Sequence, residues 1–165
     1  MRMATTWAVL LAASGVGFAA SAQTRLPETV LPVAASHAEV QAQVRAMLAE
    51  MKPDQGFMWR PLLRDGTTAA AIEIWKKPGR PAVHPTEAEY AIVLEGAGTL
   101  VSGGTLADAR PGSNPGLVEG SKIENGTTRV LATGDVLLIP AGMPHWFGIT
   151  GERLVLLGIK LPQSK

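Results

Sequence analysis

The chain has 165 residues, of which 46% are apolar, with 18 Gly, 12 Pro and no Cys. That length suits one domain plus a short extension, and the lack of cysteine excludes disulfides, thiolate metal sites and cysteine nucleophiles. The formal net charge is +1, from 15 basic and 14 acidic residues without any Lys/Arg cluster, so the electrostatic footprint of a nucleic-acid-binding protein is missing.

The first segment has the features of a secretory signal. Arg2 supplies the positive charge, residues 4–20 are uncharged and largely apolar, and Ala20-Ser21-Ala22 is a small-x-small cleavage site. The expectation is cleavage after Ala22, export to the periplasm or beyond the cell, and no membrane attachment afterwards. Residues 23–35 lack a clear period and suggest an extended arm. Ser36 and Glu39 form a capping box, and Val40, Val44, Met47, Leu48 and Met51 recur at helical spacing. Pro53 and Gly56 close that helix.

From Phe57 the texture becomes that of strands. Residues 57–64 and 67–76 flank Asp65-Gly66, a hairpin dipeptide. Residues 82–84 are short and extended. Residues 89–94 and 99–102 flank Gly96-Ala97-Gly98, which suggests a second hairpin. Residues 103–127 are rich in Gly, Pro, Ser and Asn and are expected to form a long excursion with little regular structure, tipped by Asn125-Gly126. Further strands are expected at 129–132, 136–139, 145–149 and 154–161. One helix followed by eight or more short strands implies an all-β antiparallel sandwich or barrel. The expected organisation is a signal peptide at 1–22, an arm and helix at 23–56, and a β-barrel at 57–165.

Two stretches carry chemistry. The first runs from Gly134 through Pro140 and Gly142 to His145. Gly142 suits a positive-φ turn position and Pro144 pre-sets the chain, so His145 follows a rigid turn, as a metal ligand requires. The second runs from His84 through Glu89 to Gly96. Strand alternation puts Glu89 on one face with Ala91 and Val93, where an acidic group is costly unless paired or bound to a metal. His84, Glu89 and His145 together form a three-point site suited to divalent iron, manganese, nickel, copper or zinc. Glu87 is a rival to Glu89 and, if turned inward, a candidate catalytic base. Thr86 is a weaker substitute ligand, and His37 is expected on the solvated surface. Trp59, Trp75 and Trp146 are expected to pack in the core, Trp146 behind the site. The apolar strands suggest a pocket with few polar handles, for a small, partly apolar organic ligand.

These stretches resemble the two motifs of the cupin superfamily, in outline Gly-x5-His-x-His-x3–4-Glu-x6-Gly and Gly-x5-Pro-x-Gly-x2-His-x3-Asn. Gly134, Pro140, Gly142 and His145 fall at the second motif's spacing, with Ile149 in place of its Asn. His84, Glu89 and Gly96 match the first motif from its second histidine onward. Ala82 stands where the family has its first histidine, and Gly79 is out of step with the opening glycine. The wording around them is similar to that of small single-domain bacterial cupins of the cupin 2-like conserved-barrel type. The resemblance covers roughly residues 70–160. It implies a double-stranded β-helix, or jelly-roll, and a metal held by His84, Glu89 and His145 with up to three positions open. Oxidation, lyase, isomerase and decarboxylase chemistry all occur on this fold, so the fold alone does not choose. The ligand set, two histidines and one carboxylate, favours a dioxygenase-like reaction on a small organic molecule. The alternative is a non-catalytic module that binds metal or a small ligand. A homodimer is also expected.

Overall fold

Ser36 caps the helix as its sequence requires. Its Oγ accepts from the Glu39 backbone N–H, and the Glu39 carboxylate accepts from the Ser36 N–H at 2.7 Å. The structure, a computed structural model, describes residues 34–163. The expected signal peptide and the arm up to residue 33 lie outside the described residues. Helix α1 spans His37–Glu50, and Met51 turns to extended backbone two residues before Pro53. Its apolar stripe, Val44, Met47 and Met51, is buried against Ile72, Ile74 and Val155. Burying each of these large side chains contributes roughly 1.5–3 kcal/mol. An Arg60–Glu50 ion pair ties the helix to the first strand.

The strands in chain order are β1 Phe57–Asp65, β2 Thr68–Trp75, β3 Ala82–Val83, β4 Glu87–Ser102, β5 Thr105–Ala107, β6 Arg110–Pro111, β7 Val118–Glu119, β8 Lys122–Glu124, β9 Thr127–Ala132, β10 Val136–Ile139 and β11 His145–Pro162. All pairings are antiparallel: β1 with β2, β2 with β11, and β11 with β4 along nearly its whole length. The other edge of β4 is shared by β10, opposite Glu89–Ile92, and β9, opposite Ala97–Ser102. β3 joins the start of β11 to β7 and β6, while β5 and β8 form a separate ribbon. This is the expected all-β jelly-roll with one N-terminal helix.

The second expected hairpin does not form. Residues 87–102 are one strand, and the glycines inside it serve another purpose. Opposite Ala97, β11 carries extra residues between Ile149 and Leu154, a bulge that drives its backbone toward β4. A Cβ on Gly96 would lie 2.1 Å from the Arg153 carbonyl oxygen, and one on Gly98 would lie 2.4 Å from that of Gly148. Both glycines make room for the approaching backbone, and Gly96 in addition has φ +83°, which favours glycine by itself. The excursion at 103–127 is more regular than expected, since β5 to β8 all fall within it. The Asp65-Gly66 hairpin does form, with Gly66 at φ +54°.

Period-2 alternation divides the sheet into two buried faces. Ile72, Ile74 and Val155 face the helix. Ala91, Val93, Leu131, Leu137, Ile139, Phe147, Leu154 and Leu156 fill the barrel, with Trp75 packed against them. Trp59 departs from its expected core role: it lies on the edge strand β1 and is 44% exposed. No helix among the described residues is long and apolar enough to cross a membrane.

Candidate metal centre

β4 and β11 carry the site because their register brings its parts together. Glu89 stands near the start of β4, with Ala91 and Val93 following on the same buried face. His145 opens β11 directly after the Pro140–Pro144 turn. That turn has Gly142 at φ +79°, and its Gly142 N–H donates to the His84 carbonyl at 2.9 Å. One hydrogen bond therefore fastens the second motif to the first.

The three side chains converge. His84 Nε2 and His145 Nε2 each lie 3.5 Å from the same Glu89 oxygen, Oε2, and the two rings are stacked with centroids 5.5 Å apart. One ligand atom from each residue lies within 4.8 Å of the other two. A metal held at about 2.0–2.2 Å by N and O donors sets its ligand atoms roughly 3–3.5 Å apart, so the two measured 3.5 Å spacings fit. The donor chemistry fits as well. His145 Nδ1 lies 3.1 Å from the Met143 carbonyl oxygen, which only accepts, so Nδ1 carries the proton. In the neutral ring that leaves a bare Nε2 facing a carboxylate, an arrangement of two acceptors that a cation between them resolves. His84 Nδ1 has the Glu87 carboxylate 3.9 Å away, a partner of the same kind.

Burial pushes the Glu89 carboxyl up, but His145, Lys160 and His84 outweigh it and hold the group down to about 2. Burial, helped by the positive charge of Lys160, brings the His84 imidazole down to about 4. Glu89 is thus ionised and His84 neutral near pH 7, the protonation states a metal site needs.

Glu87 does not enter the cluster. Its side chain is 39% exposed, faces the distal nitrogen of His84, and lines the neighbouring cavity. Thr86 and His37 are exposed, and Ala82, paired with His145, brings no ligand atom. Trp146 is half-buried and donates from its indole N–H to the Gly79 carbonyl at 2.9 Å.

The structure adds two groups that sequence reasoning missed. Lys160 is the cross-strand partner of Glu89, and its Nζ lies 3.7 Å from Glu89 Oε2. It also donates to Glu73 Oε1 at 3.4 Å. Glu73 is 3% exposed and accepts from the Trp75 indole N–H at 3.2 Å. Its carboxylate lies over Gly158, where a Cβ would come within 3.0 Å of Oε1. Burial pushes the Glu73 carboxyl up, against the pull of Lys160. Burial pulls Lys160 down, but Glu73 and Glu89 raise it overall, so its ammonium stays charged. The pocket is more polar than its strands suggested: alternation places Glu73 with Ala71 and Trp75, and Lys160 with Leu156 and Gly158, but only the register that pairs Lys160 with Glu89 shows that these charges face the site.

A cavity of about 180 Å³ adjoins this cluster, lined in part by Trp59, Arg64, Glu73, Glu87, Gly158 and Lys160. A larger groove, about 640 Å³, runs beside Arg80, Lys122 and Trp146. Trp146 alternates to the face opposite His145, and the groove's lining holds no His or carboxylate. The smaller cavity is lined by none of His84, Glu89 and His145; it meets the cluster through Glu73 and Lys160, whose Nζ is 3.7 Å from Glu89 Oε2.

No curated protein matches the chain. Among solved structures it is similar to TT1209 from Thermus thermophilus, at 18% identity over 73% of this chain and 95% of that one, with a TM-score of 0.49. It is also similar to KdgF from Halomonas sp., at 15% identity over 69% and 87% of the two chains and a TM-score of 0.47. The Cnp3 cupin domain of Schizosaccharomyces pombe matches at 13% identity over 70% and 72%, with a TM-score of 0.48. The Cupin family model matches residues 65–161, more than half of the chain and the whole of the cluster just described, and the protein belongs to the cupin family.

Proposed function

We propose that this cupin is a metal-dependent enzyme acting on a small organic molecule, with His84 Nε2, Glu89 Oε2 and His145 Nε2 as the protein's ligands to one divalent transition ion. The observation that carries the reading is the convergence of three donor atoms, two at 3.5 Å from the third, in a buried place where Glu89 is ionised and His84 neutral. Such an ion supplies Lewis acidity, or redox chemistry if it is iron, manganese or copper. The ligand set favours dioxygenase-like chemistry among the reactions open to the fold. His145 is held by the Met143 carbonyl and His84 faces Glu87, so both rings are pre-oriented. Lys160 and Glu73 set the charge of the wall beside them.

The test is elemental analysis of the purified full chain, with oxygen uptake measured across a panel of small organic acids and phenols. About one transition-metal ion per chain is expected in the wild type, with less than a tenth of that in His84→Ala and His145→Ala. Equal metal content in all three proteins would refute the assignment.

A second reading, a binding module without turnover, has one observation in its favour. Lys160 already places a cation 3.7 Å from Glu89, so the carboxylate is compensated even without metal. A chain that purifies metal-free, folds normally and binds an organic ligand would support it.

The protein is proposed to be exported, on the strength of residues 1–22, and to pair with a second copy. Support for pairing comes from the outer face of β4 and β10, where Tyr90 opposes Leu138 and Ile92 opposes Val136, all exposed. A monomeric mass in solution would overturn the pairing.

A further inference from the structure

The charges beside the candidate metal do not balance, and the imbalance identifies a ligand class. Glu73 and Glu89 bring two negative charges and Lys160 one positive, and imidazoles that bind a metal do so in their neutral form, so the ligand set and its two neighbours carry −1 before the ion's own charge is added. A divalent ion turns that into +1, or +2 if Glu73 is protonated. Either way the loaded pocket is a buried, net positive site, and isolated buried charge is costly. Glu87 and Arg64 also line the cavity, one negative and one positive, so counting both leaves the net charge unchanged.

The donors of Lys160 point the same way. An ammonium has three donors. Glu73 Oε1 takes one at 3.4 Å, and Glu89 Oε2 stands 3.7 Å off. Among the described residues no third acceptor hydrogen-bonds Lys160, although its side chain is 31% exposed and lines the cavity. The cavity's volume of about 180 Å³ leaves room for a small molecule.

We propose that the metal-loaded pocket binds a small organic anion, a carboxylate bearing a neighbouring oxygen donor, and that Lys160 is the protein's anchor for its carboxylate. This deepens the metal-enzyme reading and rests on it. Lys160 is a specificity-determining residue: it selects acids over their neutral analogues. Glu73 is its positioning partner, laid over the gap at Gly158.

The test uses the full chain loaded with Co(II), whose visible d–d absorption reports binding at the metal without any turnover. Pyruvate and its neutral methyl ester are titrated in turn. Pyruvate is expected to shift the spectrum and to bind at least about tenfold more tightly than the ester, the scale of one charge-assisted hydrogen bond. In Glu73→Gln/Lys160→Met, which removes both partners of the pair so that neither is left buried alone, Co(II) binding persists and pyruvate binding weakens by about tenfold or more. Lys160→Arg keeps the preference for the acid. The comparison of acid with ester in the wild type holds even if a variant fails to fold. The proposal is overturned if the loaded wild type ignores pyruvate, if acid and ester bind alike, or if the double variant binds pyruvate like the wild type. In each of those cases the metal assignment stands. Failure of Co(II) to bind, read before any pyruvate is added, removes the metal assignment and this proposal together.

Discussion

Strand β2 has two faces, and they are built on opposite principles. One face gives Ile72 and Ile74 to the layer under α1, where they pack with aliphatic side chains and Met. The other gives Glu73 and Trp75 to the barrel, where Glu73 is as buried as the core yet needs Lys160 and the Trp75 indole to be tolerable. The helix layer gains stability from each group independently. The barrel cluster is a set of interdependent charges, each tolerated only because the others are present. The comparison separates the part of the molecule that holds the fold from the part that is kept for chemistry.

The largest expected effect is on the charged side. Lys160→Met leaves Glu73 and Glu89 buried without their cation, and is expected to destabilise the metal-free protein by about 3–5 kcal/mol. Changing the pair together, as Glu73→Gln/Lys160→Met, is expected to recover the part of that loss that comes from Glu73, while Glu89 still lacks its cation. Chemical denaturation of the three proteins checks this. A single variant as stable as the wild type would show that the cluster is not interdependent.

On the apolar side, Met47→Ala is expected to cost about 2–5 kcal/mol, because Met47 is fully buried between α1 and β2. Its metal content and the spectrum of its Co(II) form should match the wild type. A Met47→Ala protein that loses metal would mean that the two faces are coupled, and the comparison would fail.

The smallest effect is in pH. The folded-state pKa of His84 is lowered to about 4 from the usual 6.5, so between those values the unfolded chain binds a proton that the folded chain does not. Stability of the metal-free protein therefore falls as pH drops from about 6.5 toward 4. His84→Gln should flatten that slope in thermal unfolding curves, while Met47→Ala should keep it. An unchanged slope in His84→Gln would remove His84 as its source.

Much of this is legible in the sequence because it is local. The capping box at Ser36 and Glu39, the positive φ at Gly142, and the spacing of His84 and Glu89 all depend on a few neighbouring residues, while His145, far along the chain, is joined to them by the resemblance to the two cupin motifs. What escapes depends on pairing. Gly96-Ala97-Gly98 looks like a turn in isolation, and only the β11 bulge pressing on it shows that the glycines make room for backbone. Glu73 and Lys160 are each a single charge in an apolar strand, which alternation alone leaves ambiguous. Register resolves them, by setting Lys160 opposite Glu89 and leaving Gly158 bare beneath Glu73. Trp59 escapes for the same reason, since nothing in its own strand shows that β1 is an edge.

The most direct measurement is an anomalous-scattering map from crystals of the Co(II)-loaded full chain. The expected result is one peak within about 2.0–2.3 Å of His84 Nε2, Glu89 Oε2 and His145 Nε2 at once. A peak bound elsewhere, or none between these atoms at full Co(II) loading, would contradict it.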